Sequence, residues 1–335
     1  KAYAEAIESA EAISANGGDY LAAKDAMDVA YEQLQKSIKA YETFKAFNEK
    51  VVQQMDNFSG TKFEGISDEL GDNIQEWEEA YEEQTYTIEQ IAELDGTLNK
   101  MVNDYVSQYL EAGDDITFMI KNPDFDTDFS GWQTDGATPQ WGGTNQGENT
   151  LGVGIPAPTS GNAEVFQAKF AMFQTIKNMP AGIYQFSCQA FERDDTNTGI
   201  ETFLYAVANG EEQRSPVPNQ HDYATEEQLY NNGAWSSDVE WEGKWVPNGM
   251  QGAYYHFAHT IEGNDAPDYT TKLNIILNEQ TDLTFGVKNI SGGDWVIFDN
   301  FKLTYLGGGV DAYLIPVNEK LAELHALVTA NEDNV

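Results

Sequence analysis

Apolar positions follow two different periodicities, and the change between them lies near residue 116. Before Ile116 they recur mostly at steps of three and four residues, which is typical of amphipathic helices. From Ile116 to about Leu306 they alternate with polar residues and with clusters of Gly, Asn and Thr, which is typical of strands and turns. The pattern predicts an N-terminal helical region followed by a β-rich region.

The helical pattern predicts four helices over residues 1–115. Asn16-Gly17-Gly18 interrupts the first helix, and Asp19 is a candidate N-cap for a very long second one. Gly60 and Gly65 border a loop before the third helix, and Thr87-x-x-Gln90 has the spacing of a capping box at the start of the fourth. The second helix carries one apolar stripe, formed by Met27, Tyr31, Leu34, Ile38, Tyr41, Phe44, Val51 and Met55. Because one amphipathic helix cannot bury its stripe alone, we predict an antiparallel bundle.

The alternating segments predict a β-sandwich over residues 116–308. Tyr184, Phe186, Cys188 and Ala190 alternate with polar residues after the turn at Pro180-Ala181-Gly182. Similar segments are Leu283 to Val287 and Trp295 to Tyr305. Many short strands without an alternating β-α-β pattern favour a sandwich or jelly roll.

Gly307-Gly308-Gly309 predicts a hinge, after which helical spacing returns over residues 309–335. This C-terminal helix either packs back on the bundle or begins a further domain, and we favour the second interpretation. The fold class is therefore multidomain α and β.

Charge and composition exclude several classes of partner. The chain of 335 residues has 18 Lys and Arg against 56 Asp and Glu, a formal charge of −38, which opposes binding to nucleic acid or anionic lipid. The sequence contains no run of about 18 apolar residues, so no segment is predicted to insert into a membrane. A single cysteine, Cys188, excludes an intramolecular disulfide and a Cys-rich metal site.

Three separated motifs of the β region resemble the galactose-binding-like sandwich modules of Bacteroidetes surface proteins, which are often classed as carbohydrate-binding-like. The motifs are Asn122-Pro-Asp-Phe125 with Phe129-Ser-Gly-Trp132, Gln174 to Tyr184, and Trp295 to Tyr305. The resemblance implies a jelly-roll fold that binds sugars, other small ligands or proteins, and a secreted or lipid-anchored protein whose export signal has been removed. The acidic bundle resembles the helical modules that space domains in such proteins.

Sugar recognition needs a flat apolar ring and planar polar groups that bond hydroxyls. Tyr230, Trp235, Trp241 and Trp245 lie in one weakly patterned segment and are the candidate carbohydrate-binding residues. The alternative is that these rings cover a sheet edge or fill a small core.

Asp124, Asp126 and Asp128 alternate as at the start of a calcium loop, but Phe129 stands where an EF-hand needs Gly, which excludes that motif. Calcium sites in sandwiches of the resembled type lie where the first and last strands meet. The resemblance therefore implies that Asp124 and Asp299 share a structural calcium ion. The alternative is that these aspartates form turns and caps. Apart from this ion, we expect no cofactor to be required.

The motifs of common nucleophile and phosphate sites, Gly-x-Ser-x-Gly, the P-loop and Gly-x-Gly-x-x-Gly, are absent. We therefore expect no catalytic residues, and any catalytic domain would lie outside these residues. The leading hypothesis is a non-catalytic cell-surface protein that binds polysaccharide or serves glycan utilisation. The alternative is a structural or adhesive surface protein whose bundle and sandwich are spacers that contact a protein partner.

Overall fold

A computed structural model describes residues 2–83, 86–126, 128–142, 161–194, 199, 201–229, 238–258 and 269–330. The chain divides into two compact units, residues 1–109 and 110–335. The first is helical, and the second contains two antiparallel sheets followed by a helix, as the sequence predicted for the fold class.

The helical unit contains α1 (Ala2–Asn16), α2 (Tyr20–Phe58), α3 (Ile66–Glu82) and α4 (Ile88–Tyr109). Asp19 caps α2 by accepting hydrogen bonds from the Leu21 and Ala22 amides. Thr87 and Gln90 form the predicted capping box at α4, since each backbone N–H donates to the other's side-chain oxygen, at 2.9 and 3.2 Å.

The predicted burial of the whole α2 stripe is wrong. Phe44 and Val51 are buried, whereas the side chains nearer the N-terminus are exposed: Met27, Tyr31, Ile38 and Tyr41. At about 1.5 Å per residue, the 39 residues of α2 extend well beyond the 17 of α3 and the 22 of α4. The N-terminal half of α2 lies instead beside α1, whose apolar side chains are mostly small alanines.

The second unit contains thirteen strands in the described residues. They are β1 (Asp114–Asp115), β2 (Gln133–Gly136), β3 (Gln140–Gly142), β4 (Asn162–Phe166), β5 (Phe170–Met179), β6 (Gly182–Arg193), β7 (Thr202–Ala208), β8 (Glu211–Pro216), β9 (Asp238–Trp241), β10 (Lys244–Pro247), β11 (Thr270–Leu277), β12 (Thr281–Asn289) and β13 (Trp295–Gly307).

Two sheets form the sandwich. Sheet A has the order β11-β6-β13-β4-β3, with β1 paired to β13, and sheet B has the order β2-β5-β12-β7-β8. The strands β9 and β10 form a separate hairpin. Two helices complete the unit, α5 (Met250–Ala258) and α6 (Val310–Ala330). No described helix combines the length and the apolar character that crossing a membrane requires.

Aromatic side chains fill the space between the sheets. Phe186 of sheet A contacts Phe285 of sheet B, with ring centroids 4.7 Å apart, and Phe301 stacks on Phe186 at 5.7 Å. The alternating residues predicted to face the core are buried, with exposed fractions of 0 or 1%: Tyr184, Phe186, Cys188, Ala190, Leu283, Phe285 and Val287.

A bulge in β13 reverses which face of sheet A its side chains occupy. The register against β6 shifts between Asp299 and Lys302, and Asn300 has a φ of +54°. Before the bulge, Trp295 and Ile297 contact α5 on the outer face, whereas Phe301 after it points into the core. Because the bulge adds one residue to β13, odd-numbered side chains lie on the outer face before it and on the core face after it.

The outer face of sheet A is partly covered by α5. Its residues form a second apolar cluster with side chains of β6 and β13 and with Tyr269, which precedes β11. The members are Phe191, Met250, Ala253, Phe257, Tyr269, Trp295 and Ile297. The rest of this outer face carries polar side chains.

Candidate functional site

A groove of about 610 Å³ lies on the uncovered part of the outer face of sheet A. Its floor consists of side chains from β6, β11 and β13, and its wall of side chains from α5. The lining residues, called the sheet A groove below, are Gln185, Ser187, Cys188, Gln189, Tyr254, Phe257, Thr270, Lys272, Asn300, Lys302 and Thr304.

The register places the polar side chains of the floor in rows across three strands. The rows are Asn274, Gln185 and Thr304, then Lys272, Ser187 and Lys302, then Thr270 and Gln189 with Asn300 beside them. Successive rows are about 7 Å apart along the strands. The floor therefore presents amides, hydroxyls and ammonium groups at regular intervals.

Hydrogen bonds orient the amides of the floor. Asn300 Nδ2 donates to Gln189 Oε1 at 2.6 Å, and Gln189 Nε2 donates to the Phe257 carbonyl at 2.9 Å. At the other end, Gln185 Nε2 donates to Asn274 Oδ1 at 3.2 Å. These bonds hold the amide side chains in place, and a primary amide can both donate and accept, as bonding to a ligand's hydroxyls requires.

Tyr254 forms an aromatic wall of the sheet A groove and is half-buried. Its ring contacts the ring of Tyr255 edge to face, with centroids 5.5 Å apart, and Tyr255 is fully buried. A ring held by a buried neighbour loses little freedom when a ligand packs against it. The groove therefore combines a fixed ring with oriented planar amides.

The structure places two of the four predicted carbohydrate-binding residues, and both lie on the β9–β10 hairpin. Trp241 is 49% exposed and stacks on His221, with centroids 4.6 Å apart. Trp245 is half-buried, and its backbone pairs with Thr225. Trp241 lies opposite Lys244, and Trp245 lies opposite Glu240. Since cross-strand partners share a face and neighbours alternate, the two rings occupy opposite faces of the hairpin.

The other two predicted residues, Tyr230 and Trp235, lie outside the described residues. Trp241 and Trp245 therefore do not form one platform, and neither lines the sheet A groove.

Asp299, one of the two predicted metal ligands, is fully buried at the bulge of β13, and neither carboxylate oxygen has a hydrogen-bond partner. Burial raises the pKa of this carboxyl well above its usual value. The nearby Asn300 backbone N–H lowers the pKa, and the charges of Asp124 and Asp126 raise it. The Phe301 amide donates to the Pro123 carbonyl at 2.8 Å, which ties the loop of Asp124 to the bulge.

These carboxylates are hard oxygen donors of the kind calcium prefers. A buried carboxylate without a hydrogen-bond partner fits a cation, because a bound cation would offset the cost of burying the charge. In the described part of the chain, however, no three Asp, Glu, His or Cys side chains converge as metal ligands. A calcium ion would need backbone or amide oxygens besides Asp299 and Asp124.

His256 and Asp238 form a buried pair, with Nε2 3.1 Å from Oδ1 and both side chains 1% exposed. Asp238 Oδ2 also accepts from the Leu229 amide at 2.9 Å. The pair links α5 to the β9–β10 hairpin and is shielded from solvent. It therefore helps to hold α5 against the outer face of sheet A.

The sequence reasoning did not single out the residues of the sheet A groove. A signal was present in the polar positions of β6, Gln185, Ser187 and Gln189, which alternate with its core residues. Asn300 carried no such signal because the bulge, and not the alternation, places it on the outer face.

No protein-family model matches the chain, and no curated protein matches it. Among solved structures, TmCBM61 in complex with β-1,4-galactotriose is similar, at 15% identity and a TM-score of 0.32, over 56% of this chain and 97% of that one. The CBM22-1 xylan-binding domain of Paenibacillus barcinonensis Xyn10C is similar at 9% identity and a TM-score of 0.31, over 60% of this chain and 99% of that one.

A third similar structure is an enzyme, the Stig cyclase Fisc from Fischerella sp. TAU, at 14% identity and a TM-score of 0.31. It matches 57% of this chain and 97% of its own. The chain thus has carbohydrate-binding modules and a cyclase among its structural neighbours, and likenesses at this level assign it no ligand.

Proposed function

We propose that the second unit binds glycans in the sheet A groove without changing them chemically. The observation that carries the proposal is the chain of hydrogen-bonded amides of Asn300 and Gln189 beside the ring of Tyr254. Sugar rings offer hydroxyls, which amides bond in pairs, and a C–H face, which packs on an aromatic ring.

The dimensions of the groove support the same proposal. Its volume of about 610 Å³ lies within the usual range of small-ligand sites, and its floor extends over three rows of side chains. A short oligosaccharide could lie along such a floor.

The exposed face of Trp241 is the alternative location for sugar contact, but it lacks the row of amides. Its ring stacks on His221, which leaves one face for a ligand. We therefore place the main site in the sheet A groove and treat the hairpin as the competing location.

We expect Tyr254→Ala and Gln189→Ala each to weaken glycan binding about tenfold, since each removes a stacking surface or an oriented hydrogen bond worth about 1 kcal/mol or more. The measurement is isothermal titration calorimetry with soluble polysaccharides, among them β-1,4-galactan and xylan. Circular dichroism checks that each variant is folded like the wild type.

Trp241→Ala is the matched control, because it removes an exposed aromatic ring outside the groove. We expect it to bind as the wild type does. Loss of binding in Trp241→Ala with full binding in the groove variants would move the site to the hairpin. Absence of binding to every polysaccharide would refute the proposed function and favour the structural or adhesive alternative.

We propose further that the protein acts as an accessory in glycan utilisation outside the cell, secreted or at the cell surface. The support for this location is the sequence resemblance of the sandwich motifs to surface-protein modules. A cell-surface protein partner belongs to the structural alternative and is not required for glycan binding.

Calcium is a proposed structural ligand at Asp299 and Asp124. Adding calcium to chelator-treated protein is expected to raise the stability of the sandwich by about 1.4 kcal/mol at ten times the Kd, since the ion binds only the folded state. Thermal unfolding followed by tryptophan fluorescence measures this gain.

Asp299→Asn is expected to abolish the calcium-dependent gain, because the amide removes the negative charge that would hold the ion. Without calcium the variant should be at least as stable as the wild type, since the unpaired buried carboxylate is gone. Identical melting temperatures of the wild type with calcium and with chelator would contradict the calcium proposal and leave glycan binding untouched.

A further inference from the structure

We propose that the sheet A groove selects anionic glycans, those carrying a uronate carboxylate or a sulfate ester, an inference that rests on the proposed function. Lys272 of β11 and Lys302 of β13 both line the groove. Both are paired in register with Ser187 of β6, one on each side.

The register sets the spacing of the two lysines. Neighbouring strands lie about 4.8 Å apart, so the two Cα atoms flank Ser187 at roughly 10 Å from each other. The side chains of one row share a face of the sheet, and both lysines are exposed. Their long flexible stems allow both ammonium groups to approach one anionic group above Ser187.

Neither lysine is neutralised by a residue that the structure describes. In the described part of the chain, neither Lys272 nor Lys302 has a carboxylate within ion-pair distance. By contrast, Lys177 and Lys288 of sheet B pair with Asp282 and Glu212, at 2.7 and 2.5 Å. The positive charges of these two lysines are therefore available to a ligand, although the chain has 56 acidic residues against 18 basic ones.

Protection of a sheet edge against pairing with other chains could explain the presence of Lys272 but not that of Lys302. β11 is an edge strand of sheet A, and lysines on edge strands commonly prevent pairing with other chains. At Lys302, β13 lies between β6 and the segment that begins with β1, since the Ile116 amide donates to the Leu303 carbonyl, so this reason does not apply to Lys302.

The acidic groups that the structure describes near the groove do not remove the attraction. Glu319 of α6 lies at the end of the groove, but it accepts a hydrogen bond from Asn274, one row away from Lys272. The formal charge of −38 repels polyanions at long range, and physiological salt screens that repulsion beyond about 8 Å. Contacts made by the two ammonium groups act within this distance.

The test uses two pairs of charged and neutral probes with the full chain. Polygalacturonate and its methyl ester differ in the uronate charge, and dextran sulfate and dextran differ in the sulfate. β-1,4-Galactan and xylan test neutral binding. We expect the wild type to bind at least one charged probe about tenfold more tightly than its neutral partner, since bonds to charged groups are the stronger ones.

The variant K272M/K302M keeps long side chains at both positions but removes their charges. We expect it to lose the preference for the charged probe and to bind the neutral probes as the wild type does. K272R/K302R should retain it, since arginine keeps the charge. The control K45M/K177M removes two charges from exposed positions outside the groove and should bind like the wild type.

The two failures are distinguishable. Equal affinity for charged and neutral probes, or unchanged binding of charged probes by K272M/K302M, would overturn the inference while the proposed function stands. Absence of binding to all six probes would refute the proposed function, and the inference would fail with it.

Discussion

Replacement of Phe301 by alanine is expected to destabilise the sandwich by about 3–5 kcal/mol, the usual cost of removing a buried phenylalanine ring. Phe301 is 1% exposed and lies 4.5 Å from Trp132 and 5.7 Å from Phe125, measured between ring centroids. Its ring also stacks on Phe186. The alanine would leave a cavity where both sheets and the loop of residues 122–126 meet.

Urea unfolding followed by tryptophan fluorescence measures this loss, since Trp132 contacts the deleted ring. Phe166→Ala is the matched control, because Phe166 is 58% exposed on β4. We expect the control to lose less than about 1 kcal/mol of its free energy of unfolding. Similar losses in the two variants would mean that Phe301 is not part of the rigid core.

The same variant has a functional consequence. Phe301 lies between Asn300 and Lys302, which the bulge turns into the sheet A groove. A loosened bulge would displace both side chains, so any F301A protein that remains folded should bind glycans more weakly than Phe166→Ala.

The second large effect is a dependence of stability on pH that Glu192 causes. Its side chain is fully buried, and burial raises the pKa of the carboxyl to about 7, with the negative charge of Asp294 adding to the shift. The folded protein therefore holds a proton that the unfolded chain releases near pH 4.5.

The sign follows from this difference. Protonation of Glu192 stabilises the folded state fully below pH 4.5, and this stabilisation is lost as the pH rises from 4.5 to about 7. A rise in the pKa of Glu192 from 4.5 to about 7 corresponds to a loss of about 3 kcal/mol. We expect the wild type to be more stable near pH 5 than near pH 8.

Glu192→Gln is expected to remove this loss. Oε2 of Glu192 accepts from the Glu201 and Thr202 amides at 3.3 and 2.9 Å, and a glutamine oxygen in that position retains both bonds. The variant should resemble the wild type near pH 5 and exceed its stability by about 3 kcal/mol at pH 8.

Urea unfolding at several pH values checks this expectation, with exposed Glu211→Gln as the control for a lost surface charge. Asp299 and Asp294 also have raised pKa values, so the wild-type curve alone does not isolate Glu192. Parallel curves for the wild type and Glu192→Gln would contradict the assignment.

Local patterns predicted most of the fold because they report interactions between residues near in sequence. The capping residues Asp19 and Thr87 bond to amides two or three positions away, so their spacing is sufficient to identify them. The alternation from Tyr184 to Ala190 likewise identifies the core face of one strand.

Helix length caused the error in α2. The spacing of Tyr31 and Ile38 predicts an apolar face correctly, but burial depends on whether another helix lies beside that face. Spacing within α2 contains no information on the lengths of α3 and α4.

The candidate site was still less accessible to sequence reasoning. The aromatic candidates lie close together in sequence, but the register places Trp241 and Trp245 on opposite faces of the hairpin. The sheet A groove joins Gln189, Lys272 and Asn300 from three strands, and no short segment of sequence contains them together.

The sequence alone thus determined the helical and β regions, the capping residues and the core faces of strands, because short-range periodicity encodes each of them. Tertiary structure decided which faces found a partner and which side chains share the groove. The bulge at Asp299–Lys302 illustrates the reason: one extra residue, defined only by pairing with β6, buries Asp299 and turns Asn300 outward. Strand pairing between distant segments, and not local periodicity, forms the candidate site.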